Sequence, residues 1–388
     1  MTVHLTLHAL QTLPPSNINR DDLGTPKTAV YGGVPRARVS SQAWKRAMRI
    51  RFSASGLIPD EDLAVRTRHG IGLLTSALLE RRADLDGDAA AEIAEKVFSF
   101  VTGVSADTAS AHRKAAVRHA PATRETLFLG RRQIDRLAHL AADGADDISA
   151  FLKSKANATA VKEAAASKDA VDIALFGRMV ATSDDLTVDA AVQVAHAIAV
   201  HRTTPETDYF SAVDDFATDK GAGMIGRREF LAPTLYRHAA LTGPDLASNL
   251  ADYAGAMSLQ QVTDTFIRVF AESVPSGHIT SYAHTTRPAV LIATVSGTPL
   301  NHVGAFEVPV ETASGGHLPA AAATLAEHIT VTNTAYGDPT ACSWILTLQP
   351  QATKPLHATA TPVQSLTELA DAAAAELTHR TASIREAV

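Results

Sequence analysis

Apolar and polar positions alternate over residues 2–10, where Val3, Leu5 and Leu7 interleave with His4, Thr6 and His8, and this period of two predicts a half-buried strand. A stretch rich in Pro, Asn, Asp and Gly follows over 13–33. Loops of about twenty residues are uncommon inside compact domains and usually carry function. The period then changes to helical from Ser40 or Ser41 to about Ser53, and residues 59–168 show only helical patterns, at 71–79, 89–100 and 131–142, broken by Gly and Asp clusters. They read as an all-helical insertion. Strand patterns return at 171–179 and at 192–200, where Val192, Val194, His196, Ile198 and Val200 share a face. The turn-rich stretch 203–226 predicts a protruding element ahead of a strand at 230–236, with further strands expected at 289–295, 329–332 and 344–348. A last helix is expected from Thr361 as N-cap and Pro362 as its first residue, with Gln364 completing a capping box and Leu366, Leu369, Ala370, Ala373 and Leu377 as its apolar stripe.

The helix after residue 40 holds the most pointed chemistry. At about 100° per residue, Gln42, Lys45, Arg46 and Arg49 share one stripe, and Ala43, Trp44, Ala47, Met48 and Ile50 are expected on the opposite, packed side. Arg51 alone places a charge on that apolar side. Ser40 and Ser41 set hydroxyls beside the free N–H groups of the helix start, an anion-binding arrangement. Lys45 and Arg49 lie one turn apart, a spacing suited to successive phosphates of one strand, and Arg20, Lys27 and Arg38 extend the track upstream.

Net charge sharpens this picture. The chain of 388 residues carries −6, but residues 1–51 hold eight Lys or Arg against two Asp, a balance of +6 that leaves −12 for the rest. A basic patch on an otherwise acidic chain is the footprint of a polyanion partner. The single cysteine, Cys342, excludes a disulfide framework and a Cys-rich zinc site, and reads as a buried small hydrophobe. No membrane-spanning run and no signal-peptide core are visible, so a cytoplasmic location is expected. The sixteen histidines include no zinc-type spacing, and His112, His119 and His201 are expected at the surface or in the core. Gly32-Gly33 and the glycines at 221–226 lack the spacing of a phosphate-binding loop, so no cofactor is expected. Aromatics are only 5%, too few for a long stacking platform, yet Tyr209-Phe210 falls in the polar protruding stretch.

The segments Asn19-Arg-Asp-Asp-Leu-Gly-Thr-Pro-Lys27, Tyr31-Gly-Gly33, Arg38-Val-Ser-Ser-Gln42 and Lys45-Arg-Ala-Met-Arg49 resemble the CasC family, the multi-copy backbone subunit of the type I-E CRISPR Cascade complex. The likeness continues through Val171-Asp-Ile-Ala-Leu-Phe-Gly-Arg-Met179, Ala195-His-Ala197 and Tyr209-Phe-Ser-Ala-Val-Asp-Asp215, and around Val274-Pro275 and Tyr282-Ala283. It implies an α+β fold: a ferredoxin-like palm of modified RNA-recognition-motif type (1–58 and 169–388), an inserted helical finger domain (59–168) and a thumb hairpin at about 182–232. It further implies that Arg20, Lys27, Arg38, Ser40, Gln42, Lys45, Arg46 and Arg49 grip guide RNA, that Met179 packs against splayed bases, and that Tyr209 and Phe210 lie in the thumb. The family usually carries Trp where this chain has Tyr209. Implied partners are the guide RNA (crRNA), further copies of the chain stacked head to tail, other Cascade subunits, target DNA through the guide, and a recruited helicase-nuclease, with no membrane and no catalysis by the subunit itself.

Two enzyme readings compete with this one. Asp21 and Asp22 are a minimal start for a Mg²⁺ site, as in a metal-dependent ribonuclease, although no third ligand accompanies them at a telling spacing. A small-molecule enzyme using the Ser40 helix end as a phosphate site would need an enclosing pocket.

Overall fold

The computed structural model describes residues 2–104, 120–180, 182–212, 224–251, 253, 255–312 and 315–386. The chain is mixed α and β, and it divides into two compact units, one of Met1–Ala54, Gln193–Pro244 and Gln260–Val388, the other of Ser55–Val192 and Asp245–Leu259.

The first unit is built on a large sheet. Its strands run in the order Thr361–Pro362, Cys342–Thr347, Val290–Ser296, His4–Thr12, Thr234–Thr242, Ala197–Ala199, Val34–Val39 and Thr28–Tyr31, and Val192–Val194 also pairs with Thr234–Thr242. The first strand is central and buried on both faces, not half-buried: Leu5, Leu7 and Ala9 fill one side, and Thr6, His8 and Leu10 the other. On the first side, Trp44 of the helix Ser41–Ser55 packs against Arg237, whose guanidinium sits 3.8 Å from the indole centroid and 4.4 Å from that of Phe270 in the helix Leu259–Glu272. Arg237 is fully buried and donates to Gln11 Oε1 and to the Phe270 carbonyl, each at 2.6 Å. On the second side, the helix Leu318–Tyr336 lays Ala322, Leu325 and Ile329 into one apolar cluster with Leu10, Tyr236, Ile292 and Ile345.

The long stretch after the first strand has structure of its own. Thr28–Tyr31 and Val34–Val39 form a hairpin whose two turn residues are Gly32 (φ 57°) and Gly33 (φ 76°), the left-handed pair that a tight hairpin requires. A side chain at Gly32 would also collide with the Glu307 carbonyl, since a Cβ there would lie 1.6 Å away.

In the second unit the helices Gly70–Arg81, Gly87–Thr102, Arg131–Asp143 and Lys155–Ala166 share one apolar core with Val180 and Leu186. A two-stranded ribbon, Ala64–Thr67 with Leu127–Gly130, joins what the sequence predicts as purely helical.

Several expected elements differ. Residues 171–176 form the helix Val171–Phe176 instead of a strand; five of its residues are buried, so neither period shows in the sequence. Residues 329–332 lie in the helix Leu318–Tyr336, where Thr330 Oγ1 bonds back to the Ala326 carbonyl at 2.8 Å. The expected strand at 230–236 breaks between Phe230 and Thr234, at Pro233. The last helix begins at Leu366, with Ser365 Oγ accepting from the Glu368 N–H and the Glu368 carboxylate accepting from the Gln364 N–H, while Thr361 and Pro362 pair as a short strand. Cys342 is half-buried, not buried, beside Glu376 and Arg380.

Candidate nucleic-acid interface

The upstream cations are positioned by two asparagines. Asn17 Nδ2 donates to the carbonyls of Gly24 (2.9 Å) and Glu229 (3.0 Å), fastening the loop to the hairpin Glu206–Ala212 and Met224–Phe230. Asn19 Oδ1 accepts the Ser40 N–H at 2.8 Å, while the Asn19 carbonyl accepts from Lys27 N–H and the Lys27 carbonyl from Arg38 N–H, both at 2.9 Å. Lys27, Arg38 and the head of the basic helix are thus laced together. Asp21 Oδ1 accepts the N–H groups of Leu23 (3.0 Å) and Thr25 (2.9 Å), a turn in which the carboxylate holds its own loop. Asp22 is exposed next to it. Among the described residues no three His, Cys, Asp or Glu side chains gather where they could hold a metal ion.

The helix Ser41–Ser55 buries Trp44, Met48 and Phe52, an i, i+4, i+8 row. Gln42 and Arg46 are exposed, Lys45 and Arg49 half-buried. The packed row lies closer to Lys45 than the sequence pattern suggests, so Lys45 sits at the rim of the core and desolvation lowers its pKa. For the same reason Ile50, expected on the packed side, is 48% exposed. Arg51 Nε donates to Glu272 Oε2 at 3.0 Å, which answers the one charge on the wrong face. Ser40 is buried, and its hydroxyl accepts the Ala43 N–H at 3.3 Å, capping its own helix. Arg36 is structural, fully buried and donating to the carbonyls of Ala199, Phe306 and Glu307.

Two of the track's guanidiniums rest against histidines that sequence reasoning missed. Arg38 Nη1 lies 3.0 Å from His196 Nδ1, and Arg20 Nη1 bonds to His278 Nε2. In the exposed hairpin, Tyr209 pairs with Arg227 and Phe210 with Gly226. Being adjacent on a strand, the two rings point to opposite faces. Tyr209 is 60% exposed; Phe210 lies flat across Gly226, where a Cβ would be 2.3 Å from the ring, with the Arg228 guanidinium 5.1 Å from its centroid. Met179 is 85% exposed on the second unit, next to buried Arg178, which donates to the Leu186 carbonyl at 2.6 Å. His201 is a core residue: its Nε2 accepts the Thr234 N–H at 3.1 Å and its Nδ1 faces the Arg202 carbonyl. His112, His119, residues 213–215 of the quoted likeness and glycines 221 and 223 lie outside the described residues.

Residues 5–372 match the family described as CT1975-like protein. A chain of a solved CRISPR RNA-guided surveillance complex, pre-nicking, is similar at 33% identity with a TM-score of 0.82, over 96% of this chain and 100% of that one. A chain of a second CRISPR RNA-guided surveillance complex is 30% identical with a TM-score of 0.72, over 96% of this chain and 99% of that one. No curated protein matches the sequence.

Proposed function

The chain belongs to the CT1975-like protein family, and from that premise we propose that it is the repeating backbone subunit of a type I-E CRISPR surveillance complex, a non-catalytic protein that holds guide RNA ready for pairing with target DNA. The observation that carries this reading is the Asn19 lacing, which brings Lys27 and Arg38 to the head of a helix whose other side presents Gln42, Lys45, Arg46 and Arg49. Such a row grips phosphates without reading bases. In this reading the sheet is a ferredoxin-like palm, the unit around Ser55–Val192 is the finger domain and the hairpin of Glu206–Phe230 is the thumb, with Tyr209 beside the bases and Met179 as an apolar contact. Further copies stack head to tail along the RNA, other Cascade subunits end the stack, and a recruited helicase-nuclease cuts the target. The protein works in the cytoplasm.

The test is a titration of fluorescent single-stranded RNA across a salt series, wild type against Lys45→Ala/Arg49→Ala. Loss of two phosphate contacts should shallow the log–log salt slope by about 0.7 per contact. An unchanged slope would overturn the reading, and RNA cleavage that requires Mg²⁺ and vanishes in Asp21→Asn or Asp22→Asn would overturn it in favour of a ribonuclease.

A further inference from the structure

Arginine has donors only, so a guanidinium that hydrogen-bonds an imidazole nitrogen needs a lone pair there, and the ring must be neutral. The phosphate track contains this pairing twice. Arg38 Nη1 meets His196 Nδ1 at 3.0 Å, and Arg20 Nη1 meets His278 Nε2. The pairs are built from separate segments: His196 sits between the strands Val192–Val194 and Ala197–Ala199, and His278 precedes the short helix Ile279–Tyr282 with a left-handed backbone, φ 53°, that few residues other than glycine adopt.

The surroundings of both rings are cationic. Facing His196 are Arg38 from the strand Val34–Val39 and Lys27 from the loop before it. Facing His278 are Arg20 and, from the hairpin, Arg228, with the Tyr282 ring edge-on at 6.3 Å and Asp208 behind Tyr282, opposite Arg228 in the hairpin register. Partial burial first, and then these cations, hold both histidines below the ordinary imidazole pKa. A phosphate removes the second cause. Placed between guanidinium and ring, it accepts from Arg, cancels the repulsion, and offers an acceptor to a protonated imidazole.

We propose that His196 and His278 are themselves phosphate contacts, each taking up a proton as RNA displaces its neutral bond to Arg38 or Arg20. The proposal rests on the RNA-binding reading above and adds to it two binding residues and a regulation: the grip on RNA tightens as pH falls. By linkage, a site that gains a full proton on binding strengthens by up to about tenfold per pH unit, within the window between its free and bound pKa values. At high pH both rings are neutral, and their bonds hold the guanidiniums of Arg38 and Arg20 against capture by RNA.

The experiment measures the affinity of the full-length protein for a single-stranded RNA at pH 8, 7 and 6 and fixed ionic strength, in wild type, His196→Gln, His278→Gln and the double variant. Glutamine keeps an acceptor for each arginine but cannot ionise. Wild-type affinity should rise at least threefold from pH 8 to pH 6, each single variant should lose part of that rise, and the double variant should show a flat profile. Calorimetry in two buffers of different ionisation enthalpy should find proton uptake on binding in wild type and none in the double variant. A double variant that keeps the wild-type slope, or a wild type that binds RNA with no proton uptake, overturns the proposal while leaving the RNA reading intact. No RNA binding at any pH would instead sink the RNA reading and this proposal with it.

Discussion

His8, His238 and His302 cluster in the interior of the sheet-bearing unit, with tilted rings whose centroids are 4.9 Å apart for His8–His238 and for His8–His302, and His8 Nδ1 is 2.8 Å from the Tyr236 hydroxyl. Burial is the first cause that lowers all three, aided by mutual repulsion with neighbouring rings: His238 and His302 fall to about 4, and His8 lies well below its ordinary value. A folded pKa below the unfolded one means that the unfolded chain binds more protons in between. Stability contributed by these neutral rings is therefore complete above about pH 6.5 and is lost as pH falls toward 4. The expected slope is up to about 1.4 kcal/mol per pH unit per histidine, read as urea midpoints between pH 7 and 5. His302→Gln should flatten that dependence by roughly one histidine's share, and a variant with the full wild-type slope would contradict it. Trp44 makes a second test at this scale. It is 2% exposed, so Trp44→Ala should cost about 3–5 kcal/mol and leave the Arg237 guanidinium with Phe270 in place of two aromatic faces. These buried polar groups were invisible in the sequence, because an alternating His–Leu strand reads as half solvated until the second layer of helices is known.

The hairpin of Glu206–Ala212 and Met224–Phe230 shows how an element divides labour between neighbouring residues. Phe210 is held by its cross-strand Gly226 and by Arg228, while Tyr209 stands out on the other face beside Arg227. On the proposed reading, Tyr209→Ala should weaken RNA binding by about 1–3 kcal/mol, the worth of one stacked base, with little change in the thermal midpoint, since the ring is 60% exposed. Equal losses of affinity and stability would show that the ring is structural. The protruding element was legible from its polar composition, and the basic helix from its charge stripe. What failed were segments whose local composition misled: the β-branched run at Ile329 lies inside a helix because Leu318, Ala321, Ala322, Leu325 and Ile329 already form a helical stripe. The short helix Val171–Phe176 is buried on nearly every side, and an element without a wet face has no period to read. At the candidate site the cations were found by charge, but Asn17, Asn19, His196 and His278 act through backbone carbonyls and long-range pairs, for which local spacing gives no signal.

For the whole molecule, the proposed function makes the charge split the factor that sets whether copies assemble on one RNA. Each chain carries −6 overall, with a net +6 in residues 1–51, so two copies in water should repel through their acidic remainder, and on the proposed reading each should be drawn to the same polyanion by its basic start. Salt then acts in opposite directions, weakening the grip on phosphates and relieving repulsion between copies. At low salt without RNA the chain should sediment as one copy. RNAs of increasing length should recruit copies in whole steps at a constant number of nucleotides per step, and the Lys45→Ala/Arg49→Ala variant should lose the steps while remaining a single copy alone. Analytical ultracentrifugation over a series of RNA lengths reads this directly. Stepwise growth would tie assembly to the RNA, because the phosphates both hold each basic face and stand between like-charged neighbours. Large assemblies of protein alone at low salt would instead place the driving force in contacts between chains, with RNA following as cargo.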